Sequence, residues 1–293
     1  MRSPCLREGQ SMSEIIEWQG YFATFDEEAL MIQSPFTLEE KITFGSDSDY
    51  TTMTIAGLHL LFSRGIDITK LRSISLVNAA AVKMATGVDV LSEEDPEDET
   101  CEWNLLVGEE ATLVFTNNLE RDLSFHGRGD LESLDPTFAH DMAAAWEAEL
   151  QTSNVSQGAY VSEAAYMEGA HARLSFMAQN IDDKIVWPPR QMDANGQRLP
   201  SPNQPLMASA SVESWTKLSA AGAPSEFALR APVLGGIQTV FVRFEQGPCG
   251  VFLIADDEDY QPQIGDSVTF VVRRIYAQEG FIRYGMKAVP RRI

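Results

Sequence analysis

Between Thr239 and Val289 the sequence alternates apolar and polar residues with a period of two, and this constrains the fold more than any other feature. The runs are TVFVRFE (Thr239–Glu245), GVFLIAD (Gly250–Asp256), SVTFVVRRIYA (Ser267–Ala277) and FIRYGMKAV (Phe281–Val289). They are rich in β-branched and aromatic residues, and Gly, Pro and Asp turns separate them, which is the signature of consecutive strands. A fifth strand is expected near Trp215–Leu218 or Glu226–Leu229. Five short strands in so little chain suit a small antiparallel barrel.

The earlier part of the chain follows a different rhythm. Residues 49–65 have helical spacing: Asp49 or Thr51 caps the start, Ile55, Leu58, Leu61 and Phe62 recur, and Gly65 supplies the stop. SISLVN (Ser73–Asn78) reads as a short buried strand and ATLVF (Ala111–Phe115) as a second, so this part is of the α/β kind. Asp135 before Pro136 predicts a helix entry, with Phe138, Met142, Ala145 or Trp146, and Leu150 on one stripe. A further helix is expected from near Tyr160, carrying Met167, Ala170, Leu174, Met177 and Ile181.

Three segments divide the chain. Glu93–Glu99 packs six acids around Pro96 and predicts a solvated loop. Gln151–Gly158 is polar and reads as a linker, and Trp187–Pro205 carries five prolines, which exclude regular helix. Met12 is expected as the natural start, so residues 1–12 read as a disordered extension. The expected class is α+β multidomain: an α/β domain over 13–150, a linker and helix region over 151–205, and a barrel domain over 206–293.

Composition then excludes whole classes of function. Asp and Glu number 43 against 22 Lys and Arg, a net charge of −21. Such a chain repels a phosphate backbone, whose binding requires Lys and Arg to neutralise it, so neither nucleic acid nor an anionic membrane is expected as a partner. Cys5, Cys101 and Cys249 are odd in number and far apart, which argues against a disulfide scaffold and against a cysteine zinc site. The expected compartment is the cytoplasm.

Ile264–Pro290 (IGDSVTFVVRRIYAQEGFIRYGMKAVP), preceded by Tyr166–Gln179 (YMEGAHARLSFMAQ) and Trp187–Arg190 (WPPR), resembles the thiolase-associated OB-fold family. That resemblance implies a leading helix, a rubredoxin-like zinc ribbon and an OB-fold barrel in this order, in a protein that works beside a thiolase-superfamily enzyme handling acyl-CoA. The family places its first CxxC after the PPR triplet; this chain has Gln191-Met192-Asp193-Ala194-Asn195-Gly196, so a degenerate ribbon without zinc is expected. In the N-terminal half, Ile15–Phe25, Phe44–Ala79 and Val107–Phe115 resemble the opening of a hydroxymethylglutaryl-CoA synthase or ketoacyl synthase III type of thiolase fold, in shortened form.

The same resemblance implies a nucleophilic cysteine that this sequence does not supply in a suitable setting. Cys101 lies in Glu99-Thr100-Cys101-Glu102-Trp103, and neighbouring carboxylates raise a thiol pKa instead of activating it. Cys249 falls in a Gly-Pro-Cys-Gly turn. His59, His126, His140 and His171 show no paired spacing, and Asp47 with Asp49 could hold a cation or simply cap the following helix. No catalytic residue and no metal ligand is therefore assigned.

One local anomaly remains. Arg273, Arg274, Arg283, Lys287, Arg291 and Arg292 face a single acid, Glu279. On extended strands Arg283 and Lys287 share a face and one of Arg273 or Arg274 joins them. Arg273, Arg283 and Lys287 are thus the candidate contacts for CoA phosphates or an acidic strip on a partner. Phe270, Tyr276, Phe281 and Tyr284 could instead offer a base-stacking surface, although their alternation with polar residues points to the core. The expectation is a non-catalytic accessory subunit that docks on a thiolase-superfamily enzyme, binds no cofactor tightly, has CoA or acyl-CoA as the candidate ligand it helps to bind or shield, and can form a homodimer through its N-terminal domain. The alternatives are a compact acyl-CoA transferase or synthase and a single-strand nucleic-acid binder.

Overall fold

The structure, a computed structural model, describes residues 15–26, 29–73, 76–92, 101, 103–108, 110–120, 129–151, 169–171, 173–206, 209–278 and 280–291. The expected extension over 1–12, the acidic run 93–99, the linker after Gln151 and the helix start near Tyr160 lie outside them.

The first part runs β1 (Ile15–Trp18), β2 (Tyr21–Asp26), β3 (Ala29–Gln33), β4 (Phe36–Leu38), β5 (Lys41–Thr43), α1 (Tyr50–Ser63), β6 (Lys70–Arg72), α2 (Ala79–Thr86), β7 (Asp89–Leu91), β8 (Trp103–Val107), β9 (Thr112–Thr116), β10 (Glu132–Ser133) and α3 (Pro136–Leu150). The second runs β11 (Met177–Ile181), β12 (Lys184–Val186), β13 (Gln204–Pro205), β14 (Ser209–Leu218), β15 (Ile237–Phe244), β16 (Cys249–Leu253), β17 (Ser267–Gln278) and β18 (Phe281–Pro290). The architecture is mixed α+β and mostly sheet.

A seven-stranded sheet, in the order β1-β2-β3-β9-β8-β6-β7, forms the N-terminal layer. It is antiparallel from β1 to β8, whereas β6 pairs in parallel with both β8 and β7. Helix α1 lies against it. Asp49 caps this helix by accepting from the Thr52 amide, while the Thr52 hydroxyl sits on the Asp49 amide in a closed capping box. Ten of its residues, from Thr51 to Leu61, are buried, so α1 is enclosed on every side in the manner of an internal helix. Gly57 makes this depth possible: a Cβ there would stand 2.3 Å from the Phe115 ring of β9.

The opposite side of α1 meets the C-terminal strands. Val272 of β17 and Tyr284 of β18 belong to the same core as Leu30, Ile32, Leu58, Leu71 and Phe115. The second sheet has the order β16-β15-β14-β17-β18, all antiparallel, and an isolated parallel bridge joins Ile254, just after β16, to Ala288 of β18. Its inner face holds Val212, Val240, Val242, Phe244, Phe252 and Phe270, against which Phe176 and Trp187 pack from the small β12-β11-β13 sheet. A fourth sheet has the order β10-β4-β5.

Three sequence expectations need correction. Of the strand expected over Ser73–Asn78, the described residues 73 and 76–78 are not in a strand; the strand here is Lys70–Arg72, and Asn78 instead caps α2 by accepting from the Ala81 amide. Met177 and Ile181 belong to a strand: the helical turn at 169–174 ends at Phe176, whose φ of 49° breaks the helix, and Met177 pairs with Pro205. The fifth strand of the second sheet is Ser209–Leu218, and Ser225–Phe227 is a 3-10 turn.

Candidate functional site

The turn 45–49 before α1 points Asp49 at the helix and Asp47 away from it, into the seam between the two parts. Asp47 is fully buried there, and its Oδ2 accepts from Lys287 Nζ at 2.7 Å and from the Asp256 amide at 2.9 Å. Its Oδ1 faces Arg273 Nε at 3.3 Å without the alignment of a hydrogen bond. Lys287 also reaches Asp256 Oδ1 at 2.7 Å. Arg230 extends the chain of charges, donating Nε to Glu149 at 2.7 Å and Nη1 to Asp256 at 3.1 Å. Glu149 in turn accepts from the Ala277 amide of β17.

Aromatic and hydroxyl groups frame these ions. The Trp146 indole donates to the Ser46 carbonyl at 2.8 Å, and the Arg230 and Arg274 guanidinium carbons lie 3.8 and 4.3 Å from its ring centroid. Arg274 binds the loop twice, through its amide to the Asp47 carbonyl and through Nη2 to the Ser46 carbonyl. Tyr284 donates its hydroxyl to Asp49 at 2.7 Å. Arg273 donates to the Gln19 carbonyl in the β1–β2 turn, where Gly20 has φ 83° and a Cβ would stand 2.4 Å from Nη2.

Burial sets the electrostatics. Burial alone would raise Asp47, yet Lys287, Arg273 and the Asp256 amide outweigh it and hold the carboxyl below its ordinary range. Asp256 moves the other way: burial raises it more than Lys287 and Arg230 lower it, with Asp47 adding to the rise. Burial likewise raises Glu149 despite Arg230, and pushes Tyr21 up to about 12. Asp257, beside these groups, is pushed up to about 7 by burial first and by the Asp47 charge second.

The seam opens on a cleft of about 190 Å³, with Arg230, Asp256 and Lys287 at one end and Lys217, Phe227 and Tyr260 among its walls. The polar groups at that end already bind one another, so the cleft presents saturated charges.

The residues expected to meet a phosphate or a partner are therefore placed inward. Arg273, Arg283 and Lys287 are 2%, 3% and 0% exposed. Arg283 lies opposite Tyr276 in the β17–β18 ladder. The positive charge of Arg273 and Lys287 is met by this chain's own carboxylates, and the basic surface expected from the sequence is not formed by these side chains. The base-stacking surface fares the same: Phe270 and Tyr284 are buried, and of the four aromatics Phe281 alone is classed as exposed. Of the acids near α1, Asp49 serves as the cap and Asp47 holds a cation, the Lys287 ammonium.

No family model matches this chain, and no curated protein matches its sequence. What the remaining candidates do is therefore read from their surroundings. Cys101 lies just ahead of β8, its thiol 3.5 Å from the Trp103 carbonyl, and Cys249 opens β16. His59 sits in α1 with Nδ1 3.3 Å from the Gln19 amide, and burial lowers its pKa. In the segment where the resemblance implies a zinc ribbon, hydrogen bonds tie the chain together. Gln179, 2% exposed, donates to the carbonyls of Arg190 and Pro200 and accepts from the Arg190 amide. Asp193 accepts from the amides of Asn195 and Gln197 at 2.8 Å, and Met192 bridges Arg198. Among the described residues no group of three His, Cys, Asp or Glu side chains is arranged to hold a metal ion, and no helix is long and apolar enough to cross a membrane.

The sequence reading missed Glu149, Arg230, Asp256 and Asp257. Their one visible signal was position: Arg230 between apolar residues, and acids directly after the core strand GVFLIA.

Proposed function

We propose that this protein is a non-catalytic accessory subunit that docks on a thiolase-superfamily enzyme, with the acyl-CoA chemistry carried by that partner. The observation that carries the reading is the order of elements after residue 169. A helical turn, a small three-stranded sheet and then five antiparallel strands ordered β16-β15-β14-β17-β18 follow one another, with a parallel bridge from the end of β16 to β18. Leading helix, degenerate ribbon and OB-type barrel would occur in this sequence. The resemblance of 166–179 and 264–290 to the thiolase-associated family falls on the same elements.

A surface suited to docking lies on the seven-stranded sheet. Leu106, Val114, Met31, Thr24 and Ile15 are register partners in one row across β8, β9, β3, β2 and β1. Strand alternation puts this row on the face opposite the core residues Leu105, Leu113, Leu30 and Ala23. Leu106 is 40% exposed, Val114, Met31 and Ile15 are half-buried, and Thr24 between them is 1% exposed, so the open part of the row is its Leu106 end. An exposed apolar side chain such as Leu106, with Val114 and Met31 half-buried beside it, favours a protein partner.

Affinity capture from the source cell with the tagged full-length chain tests the reading. A thiolase-type or ketosynthase-type enzyme is expected at stoichiometric level, and Leu106→Glu is expected to reduce its recovery at least about tenfold. Recovery of no such enzyme overturns the proposal. So does a covalent adduct from labelled acetyl-CoA that is lost in Cys101→Ala, which would favour the compact transferase.

A further inference from the structure

The seam holds more carboxylates than cations. Asp47 and Asp49 come from the loop before α1, Glu149 from α3, and Asp256, Asp257 and Glu258 from the loop after β16; against them stand Arg230, Arg273, Arg274 and Lys287. The cations are already engaged. Arg230 serves Glu149 and Asp256, Lys287 serves Asp47 and Asp256, and Arg273 serves Asp47 and the Gln19 carbonyl.

Asp257 has no ion-pair partner among the described residues. Its Oδ2 lies 2.6 Å from where a Cβ on Gly45 would stand, so its carboxyl is pressed against the loop that carries Asp47. The ionisable groups facing it are Tyr21 of β2, Asp47, Arg273 of β17, and Asp256 and Glu258 of its own loop. Arg273 is committed to Asp47, at 3.3 Å, and to the Gln19 carbonyl, while the Asp256 amide next to Asp257 is bonded to the Asp47 side chain. A half-buried carboxyl with no ion-pair partner among the described residues, set beside the fully buried carboxylate of Asp47, does not ionise readily and keeps its proton.

We propose that Asp257 is a proton switch for the seam: protonated, it lets the loop 255–260 rest on Gly45 and Asp47; ionised, it repels Asp47 and loosens the two parts. The working range is near neutrality, because Asp257 rises from its ordinary 3.8 to about 7. A carboxyl with a raised pKa in the closed form makes that form bind more protons. Its contribution is complete below the ordinary value, declines as pH rises through the interval up to about 7, and is gone above it. Asp256 and Glu149 are also raised and act in the same sense, whereas Asp47 is lowered and acts in the opposite sense, in acid.

Amide hydrogen exchange on the full-length chain reads the switch directly. The Arg274 amide bonds the Asp47 carbonyl and the Asp256 amide bonds the Asp47 side chain, so both report opening of the seam. Corrected for intrinsic exchange, their opening constant is expected to increase about tenfold from about pH 6 to about pH 8. Asp257→Asn is expected to remove most of that increase, and Glu258→Gln to preserve it. The proposal is overturned if the wild-type opening constant is flat over this range, or if Asp257→Asn retains the increase.

Discussion

Lys287 is the residue on which the seam turns, because its ammonium is wholly buried and lies 2.7 Å from both Asp47 and Asp256. A paired ion in a protein interior brings little net stability over apolar packing, but removing one partner strands the others. Lys287→Met should therefore destabilise the chain by about 3–5 kcal/mol, the typical cost of breaking a buried pair. A second change, Asp47→Asn, should recover part of the loss by removing one of the two buried carboxylates that the ammonium had neutralised. Denaturant unfolding measures both, and a loss in the single variant below about 1 kcal/mol would contradict the role given to Lys287. At this scale the sequence was legible in kind and misleading in direction. A cluster of basic residues in an acidic chain was visible, but strand parity alone does not say which face is inside. The acids that draw Arg273 and Lys287 inward include Asp47, 240 residues before Lys287 in the chain.

At the scale of elements, legibility followed length and capping. The helices Tyr50–Ser63 and Pro136–Leu150 stand where Asp49 and Asp135 announced them, since a cap and an apolar period are local signals. Strands such as Phe36–Leu38 and Lys41–Thr43 are three residues long and leave no period to detect. Met177 and Ile181 fitted a helical spacing until the turn at Phe176 intervened. Gly57 gives α1 a test. Alanine in a helix interior is intrinsically better than glycine by about 1 kcal/mol. Here its methyl would meet the ring of Phe115, itself fully buried and unable to withdraw, and overpacking costs about 1–3 kcal/mol. Gly57→Ala should thus lower stability, with a midpoint shift in denaturant as the readout; a stabilised variant would mean that α1 and β9 have room to separate. Gln179 gives the small sheet another. Its amide satisfies two carbonyls and one amide nitrogen across β11 and the proline-rich chain. Gln179→Leu leaves those groups without partners, at about 1–3 kcal/mol for each that stays buried.

At the scale of the whole molecule, the boundary that composition suggested near residue 150 is crossed by a continuous core. Val272 and Tyr284, with Ile282 and Met286 beside them, pack into the same cluster as the strands around α1, and the ions of the seam pair across it. Cutting there would expose these apolar side chains and leave Arg273 and Lys287 without Asp47. Residues 206–293 produced alone should accordingly lack a cooperative unfolding transition and bind a hydrophobic dye. Produced together with residues 13–205, they should co-purify as one species, because the seam offers both an apolar contact and complementary charge. The pairing should weaken when the large fragment carries Asp47→Ala, which removes the group that Lys287, Arg273 and the Asp256 amide converge on. A monomeric 206–293 fragment that unfolds cooperatively by calorimetry would show instead that the second sheet is self-sufficient and that the shared core is an accessory to its fold.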